Sequence, residues 1–406
     1  MLKVDDRLAD AVLLLLYIAV SAAILFRVSI ESTGYTSPDS EYYMEAARSL
    51  RDGERFVIKD LYGLHTGDTS ARAHFTAWPV GYPTLIYLAS SFSQLDFFWA
   101  SKLLNLLFIG FGFLLMRHLN RQYSFVLASI YCAFTIIEMS SYTWSEGIFM
   151  FGCLCFAYLM AAIYNGKQSK KAFALLLALT TFMFVVRYIG IFTVGFLALA
   201  VAYFWLRKKY DTSKKLLFVL LILCIFICAY LGRNHYLIGH PTGIARIHSD
   251  MESMGEIAQM TIRSLAGEFF LIRRYYFTGS PDMLTWLTMA LQLSVLFYIG
   301  KALRSHQGLM QELRKNTLSH SCLLAALLYL VLLVFLRSMS QFDPINYRLL
   351  SPFTFLVLFA AVNYIVALPA QSTALVRAKV LIFCFFAISL LLNLPKEYIL
   401  SQLLHL

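Results

Sequence analysis

The chain has 406 residues, 59% of them hydrophobic and 14% charged, with a net charge of +11. Soluble globular chains carry about 45–50% apolar and about 25% charged residues, so this composition excludes an ordinary soluble domain. The basic excess does not point to nucleic acid, because it borders apolar blocks, where Lys and Arg orient a chain in a bilayer.

In chain order, the first apolar block runs from Ala11 to Val28 and is broken only by Ser21 and Arg27. At 1.5 Å per residue it is long enough for a hydrocarbon core of about 30 Å. It is rather long for a secretory leader and no clear small-x-small site follows, so it reads as an uncleaved first helix. With it, eleven spans are expected, at about 11–29, 97–117, 123–140, 144–164, 171–186, 188–206, 215–235, 283–302, 320–337, 348–368 and 377–394. A piece at about 82–95 is too short to cross and reads as juxtamembrane or re-entrant. The expected fold is therefore an all-α polytopic membrane protein, residues 1–406 forming a single transmembrane domain with no separate soluble domain. The seven cysteines all fall in apolar spans, where cysteine acts as a small hydrophobe; neither a disulfide framework nor a zinc ribbon is indicated.

With the N-terminus in the cytoplasm, the inner loops carry more than threefold the Lys and Arg density of the outer ones, as the positive-inside rule requires. Two long outer loops result, 30–96 and 236–282, with a short one at 338–347 and the C-terminus on the same side.

The first outer loop reads Ser37-Pro38-Asp39-Ser40-Glu41-Tyr42-Tyr43 and continues to Gly53. Proline near the first turn, Tyr43, Ala46, Ala47 and Leu50 at helical spacing, and Gly53 past the end predict a short amphipathic helix. Asp39 falls at its N-terminus, where an N-cap role is worth about 1 kcal/mol. Glu41 is either a solvated helix-face charge or part of a site, and Glu45 reads as surface. Trp78-Pro79-Val80-Gly81-Tyr82-Pro83 then forms a rigid turn back into apolar sequence.

Charges at the ends of apolar spans are costly and need partners. Here they are Glu138, Glu146, Arg187, Arg233, Arg337 and Arg348, all projecting to the outer side. Arg187 lies between Val186 and Tyr188 at a junction too tight for a solvated loop; its planar fork suits phosphate oxygens. Internal ion pairs with Glu138, Glu146 or Asp343 are the alternative for these arginines. In the second outer loop Met251, Met254, Ile257, Ala258, Ile262, Leu265 and Phe269 recur at helical spacing, a stripe to rest on the membrane or cover a site. Arg273-Arg274-Tyr275-Tyr276 reads as a lipid-headgroup contact or a hold on an acidic acceptor. His65, His74, His235, His240 and His248 show no ligand spacing.

An acid directly after the first span, a Tyr and Ala-Ala-x-x-Leu helix, and a Pro-x-Gly-Tyr-Pro turn, in this order, resemble the GT-C superfamily of membrane glycosyltransferases, which use polyprenyl-phosphate sugars. The resemblance is to the branch of protein O-mannosyltransferases and lipid A aminoarabinose transferases, and it covers about the first 200 residues. It implies that Asp39 is the catalytic carboxylate, that Glu146 is the second acid, and that Arg187 binds the donor phosphate, although Lys is common there in this branch. Tyr347-Arg348-Leu349-Leu350-Ser351-Pro352 resembles the family's late basic-Leu-Leu-Pro segment and implies a second phosphate contact at Arg348.

Tyr42, Tyr82, Trp78 and Trp144 are candidates to stack on sugar or line the lipid groove, with interface anchoring as the structural alternative. The implied partners are a polyprenyl-phosphate sugar, a glycolipid, polysaccharide or protein acceptor, and membrane lipids, with no nucleic acid. The implied setting is a bacterial inner membrane. A divalent metal stays open, because some members use one. A lipid-linked glycan transporter would instead need midplane charges and related halves, and an O-antigen ligase or polymerase would leave the Asp39 helix unexplained.

Overall fold

Apolar runs of 19–29 residues have no water to bond within a bilayer, so each satisfies its backbone on itself as a helix. The structure, a computed structural model, describes residues 5–30, 34–63, 67–243, 252–272, 281–304, 306, 308–340, 342–369, 372–395 and 398–399. In chain order come α1 (Asp6–Ile30), α2 (Pro38–Arg51), β1 (Val57–Lys59), β2 (Arg72–His74), α3 (Gly81–Ser93) and α4 (Phe97–Leu119). Then follow α5 (Ser124–Ala128), α6 (Phe134–Ser141), α7 (Glu146–Tyr164), α8 (Lys170–Val186), α9 (Phe192–Leu206) and α10 (Tyr210–Ile238). The chain closes with α11 (Met254–Glu268), α12 (Met283–Arg304), α13 (Leu309–Lys315), α14 (Thr317–Met339), α15 (Tyr347–Ala367) and α16 (Thr373–Leu392). Short 3-10 turns join α5 to α6 and α8 to α9.

The expected all-α polytopic class holds. Among the described residues, nine helices are long and apolar enough to cross a membrane, and the chain is an integral membrane protein. The fifth expected span, α8, has 17 residues. The third is not one straight helix: its two halves are bent by 66°. Ala133 leaves helical geometry at ψ 141°, and the Phe134 N–H donates to Leu271 O, 3.3 Å away, instead of to its own helix. α7 sits at the centre, packed on α4, α8, α14 and α15.

The first long loop forms α2 and α3 as expected, together with a ribbon that was not. β1 and β2 pair antiparallel, with Ile58 opposite Ala73. The ribbon is fixed to α2 through Tyr42, whose hydroxyl donates to Asp60 Oδ1 at 2.6 Å and accepts from Tyr62 N at 2.8 Å. In the second long loop the apolar stripe divides. Ile257 is buried, whereas Met254, Ala258 and Ile262 on α11 and Phe269 just past its end are exposed. Polar Thr261 and Glu268 turn inward instead. Met251 and Arg273 to Tyr276 lie outside the described residues, as do His65 and His248.

Two glycines permit the tight turn after α8. A Cβ on Gly190 would stand 2.7 Å from the carbonyl carbon and oxygen of Met183, and one on Gly81 would stand 2.4 Å from Val185 O. Both obstacles are backbone, so neither can swing aside. Gly190→Ala should therefore destabilise the protein by about 1–3 kcal/mol, the usual cost of overpacking. Thermal unfolding in detergent checks this; an unchanged midpoint would mean that the α8–α9 turn is looser than described.

Candidate active site

Four segments meet at one edge of the bundle, each bringing a charge. α2 contributes Asp39. Its N-cap is Ser37, whose Oγ accepts from Ser40 N and from Trp144 Nε1 at 2.7 Å. Asp39 is therefore not the capping residue; it lies one turn-position into the helix and its carboxylate turns to α15. There Arg348 is set by Asn346, whose side chain accepts from Arg348 N at 3.0 Å and Leu349 N at 3.2 Å. Pro352 lacks the N–H that would bond the Arg348 carbonyl. The Ser351 hydroxyl donates to it instead, at 2.7 Å, so the proline leaves no buried orphan at this point.

The Arg348 guanidinium reaches both acids. Nη2 donates to Asp39 Oδ2, and Nε donates to Glu146 Oε1 at 2.6 Å. Its Nη1 is 3.7 Å from Asp343 Oδ2. Arg187 reaches the same Glu146 Oε1 at 2.6 Å and donates to Ser145 Oγ at 3.1 Å. Glu146 is fully buried, and the Arg187 and Arg348 side chains are 13% and 10% exposed. Two carboxylates and two guanidinium groups thus form a neutral quartet, the pairing that buried charge requires. It is not saturated: Glu146 Oε2 and Arg187 Nε are buried without a hydrogen-bond partner.

Below the guanidinium lies the Trp144 ring, 4.2 Å from the Arg348 Cζ, a cation–π contact. The other face of Trp144 stacks on Tyr142 at 3.9 Å and 7°. α4 holds this loop from beneath. Lys102 Nζ donates to Thr143 Oγ1 at 2.9 Å, and Asn105 Nδ2 donates to Ser140 O and Tyr142 O at 2.9 and 3.1 Å. Lys102 is wholly buried with the Phe98 ring 4.4 Å away. The sequence alone did not single out Lys102, Ser37, Asn105 or Ser145 as part of a site. The available signal was the Ser101-Lys102-x-x-Asn105 spacing, which puts these polar groups within one turn of an apolar helix.

Several expected site residues are elsewhere. Glu41 accepts from the Tyr62 hydroxyl at 2.6 Å on the exposed side of α2, away from the quartet, and this bond raises the Tyr62 hydroxyl above its ordinary value. Tyr42 and Tyr82 are fully buried, which leaves no ring face for a sugar. Tyr82 stands edge-on to Tyr43 at 4.9 Å, and Tyr42 lies 5.2 Å from Trp78. Trp144 has both faces occupied as well. Trp78 alone among these four is half-buried. Tyr43, not singled out by sequence, links this aromatic cluster to the quartet through Ser145 Oγ at 3.4 Å, and burial raises its hydroxyl above the ordinary value. If Tyr42 is a strut for the ribbon, Tyr42→Phe should cost about 1–3 kcal/mol for the partners left unsatisfied and leave turnover within about twofold. A large loss of turnover at unchanged stability would instead give Tyr42 a direct role.

The remaining charged residues form separate contacts. Glu138 pairs with Arg27 at 2.5 Å. Arg337 grips Glu252 through Nε and Nη2 at 2.9 and 2.6 Å. Arg233 is exposed. His74, His235 and His240 make no cluster, and among the described residues no three His, Cys, Asp or Glu gather as a metal site would need.

No protein-family model and no curated protein matches the chain in sequence. Among solved structures the chain is similar to that of ArnT from Cupriavidus metallidurans in the apo state, at 12% identity and a TM-score of 0.44, covering 94% of this chain and 77% of that one.

Proposed function

We propose that the chain is a GT-C-type membrane glycosyltransferase that moves a sugar from a polyprenyl-phosphate donor to an acceptor hydroxyl. The observation that carries this reading is the Asp39–Arg348–Glu146–Arg187 quartet, drawn from four distant segments to one end of the bundle. Such a transfer needs one carboxylate to take a proton and one or two cations to hold a departing phosphate. The motif order around Asp39 and the Arg348-Leu349-Leu350 segment point the same way. In the bilayer the reading puts the quartet on the non-cytoplasmic face of a bacterial inner membrane, with the basic loops inside.

The acceptor oxygen attacks the anomeric carbon as its proton passes to Asp39. The bond from that carbon to the phosphate oxygen breaks, and its electron pair leaves with polyprenyl phosphate. A single displacement inverts the anomeric centre. Arg187, whose Nε edge is unbonded, and Arg348 offset the charge that grows on the leaving phosphate. Arg348 is bound to Asp39, so a donor phosphate placed on Arg348 competes with that carboxylate for one guanidinium. Donor phosphate on Arg348 releases Asp39 to act as base, which ties activation of the carboxylate to arrival of the donor. Glu146 holds both arginines in place. The charged quartet at an edge, rather than midplane charges, disfavours a transporter.

The test is reconstitution of the purified protein with a panel of polyprenyl-phosphate sugars, following free polyprenyl phosphate. One donor should be consumed when a glycolipid, polysaccharide or protein acceptor is added, with inverted product. Consumption of none across the panel, by folded protein, removes the proposal.

A further inference from the structure

We propose that the groove between α7, α9 and α14, at the end of the bundle away from Asp39, binds one anionic phospholipid from the leaflet on that side. α7 runs from Glu146 to Tyr164, so the α7 side of the groove, Met160 to Tyr164, lies about 21–27 Å from the quartet at 1.5 Å per residue. Its cavity is about 450 Å³, within the range of about 300–1,000 Å³ for ligand pockets. The deep wall is apolar, with Met160, Phe196 and Leu324. Leu199 on the same wall is half exposed, which opens the groove sideways to hydrocarbon.

The mouth is polar and cationic. Arg314 and His320 line it, as do the mutually bonded hydroxyls of Tyr164 and Tyr203, 2.6 Å apart. Arg207 lies over the Tyr203 ring at 5.6 Å and Lys209 over the Phe204 ring at 6.0 Å, so both stand beside lining residues. Among the described residues none of Arg207, Lys209 and Arg314 is ion-paired. The nearby acids are engaged elsewhere, Glu312 with Lys315 and Asp211 with Lys215. Among the described residues no carboxylate lines the groove. A cationic mouth over an apolar slot between spanning helices fits a phosphate headgroup with its acyl chain attached. A soluble anion would leave the slot unfilled, and a zwitterionic lipid would leave the cations unmatched.

The full chain in neutral detergent would be mixed with phosphatidylglycerol or phosphatidylcholine and weighed intact by native mass spectrometry. One phosphatidylglycerol should be retained at least about tenfold better than phosphatidylcholine. Arg314→Gln should weaken that retention about fivefold, the scale of one cation at a membrane surface, while Arg314→Lys should keep it. Ala200→Trp, which fills the slot, should abolish retention without shifting the unfolding midpoint by more than a few degrees. Lys301→Gln, in the last turn of α12, serves as the control for a merely basic surface. The proposal is overturned if Lys301→Gln weakens binding as much as Arg314→Gln does, if Ala200→Trp leaves binding intact, or if glycerol phosphate displaces the lipid at equal concentration.

Discussion

Asp39→Asn should lower the release of polyprenyl phosphate by about 10²–10⁴-fold, the span ordinarily supplied by a positioned general base. The substitution keeps the shape of the side chain and its capacity to accept from Arg348, so the protein should fold. Arg348 retains Glu146 at 2.6 Å in any case. Donor affinity should hold or rise, because the carboxylate that competes with phosphate for Arg348 is gone. That pairing of lost turnover with undiminished donor binding separates a base from a structural acid. Full turnover in Asp39→Asn would falsify the base assignment.

Glu146→Gln should instead act on stability, by about 3–5 kcal/mol. The wild-type carboxylate is fully buried between two guanidinium groups, and removing one partner of a buried pair leaves charge uncompensated. Arg187 would keep only neutral oxygens such as Ser145 Oγ. Restoring neutrality with Glu146→Gln and Arg187→Leu together should recover much of the loss, since a matched apolar replacement of a buried pair is often close to neutral. Unfolding midpoints of the two singles and the double would measure this coupling. Simple additivity of the singles would show that the two side chains do not act as a pair.

The charged quartet was legible because an arginine or glutamate inside apolar sequence is costly enough to demand a reason. Arg187 and Arg348 stand out for that cause alone, and the helix from Pro38 to Arg51 followed from Pro38, Gly53 and the spacing between them. What escaped was decided by contacts between distant segments. Ser37 and Asp39 are both capping types, and it is the Trp144 indole, 107 residues on, that accompanies the choice of serine. Tyr42 and Tyr82 carry the same composition signal whether they face a ligand or pack inside, so their burial was invisible. The break at Ala133 has no glycine or proline to announce it in Ser124 to Ser141. What accompanies it is one carbonyl from a distant segment, Leu271 O, which accepts from Phe134 N. The ribbon strands are three residues each, too short for alternation to register. Lys102 carries no sequence signal that sets it apart; its contacts with Thr143 and Phe98 are what mark it.

The order in which the quartet's members leave the ribosome matters for biogenesis. Asp39 and Arg348 are separated by 309 positions, so most of the protein must be threaded into the bilayer before the second arginine exists. Through that interval two acids, Asp39 and Glu146, have a single cation, Arg187, an imbalance of one negative charge. A chain that stops before α15 therefore lacks the charge balance that the complete quartet has, so Asp39 and Glu146 share one guanidinium until Arg348 is made.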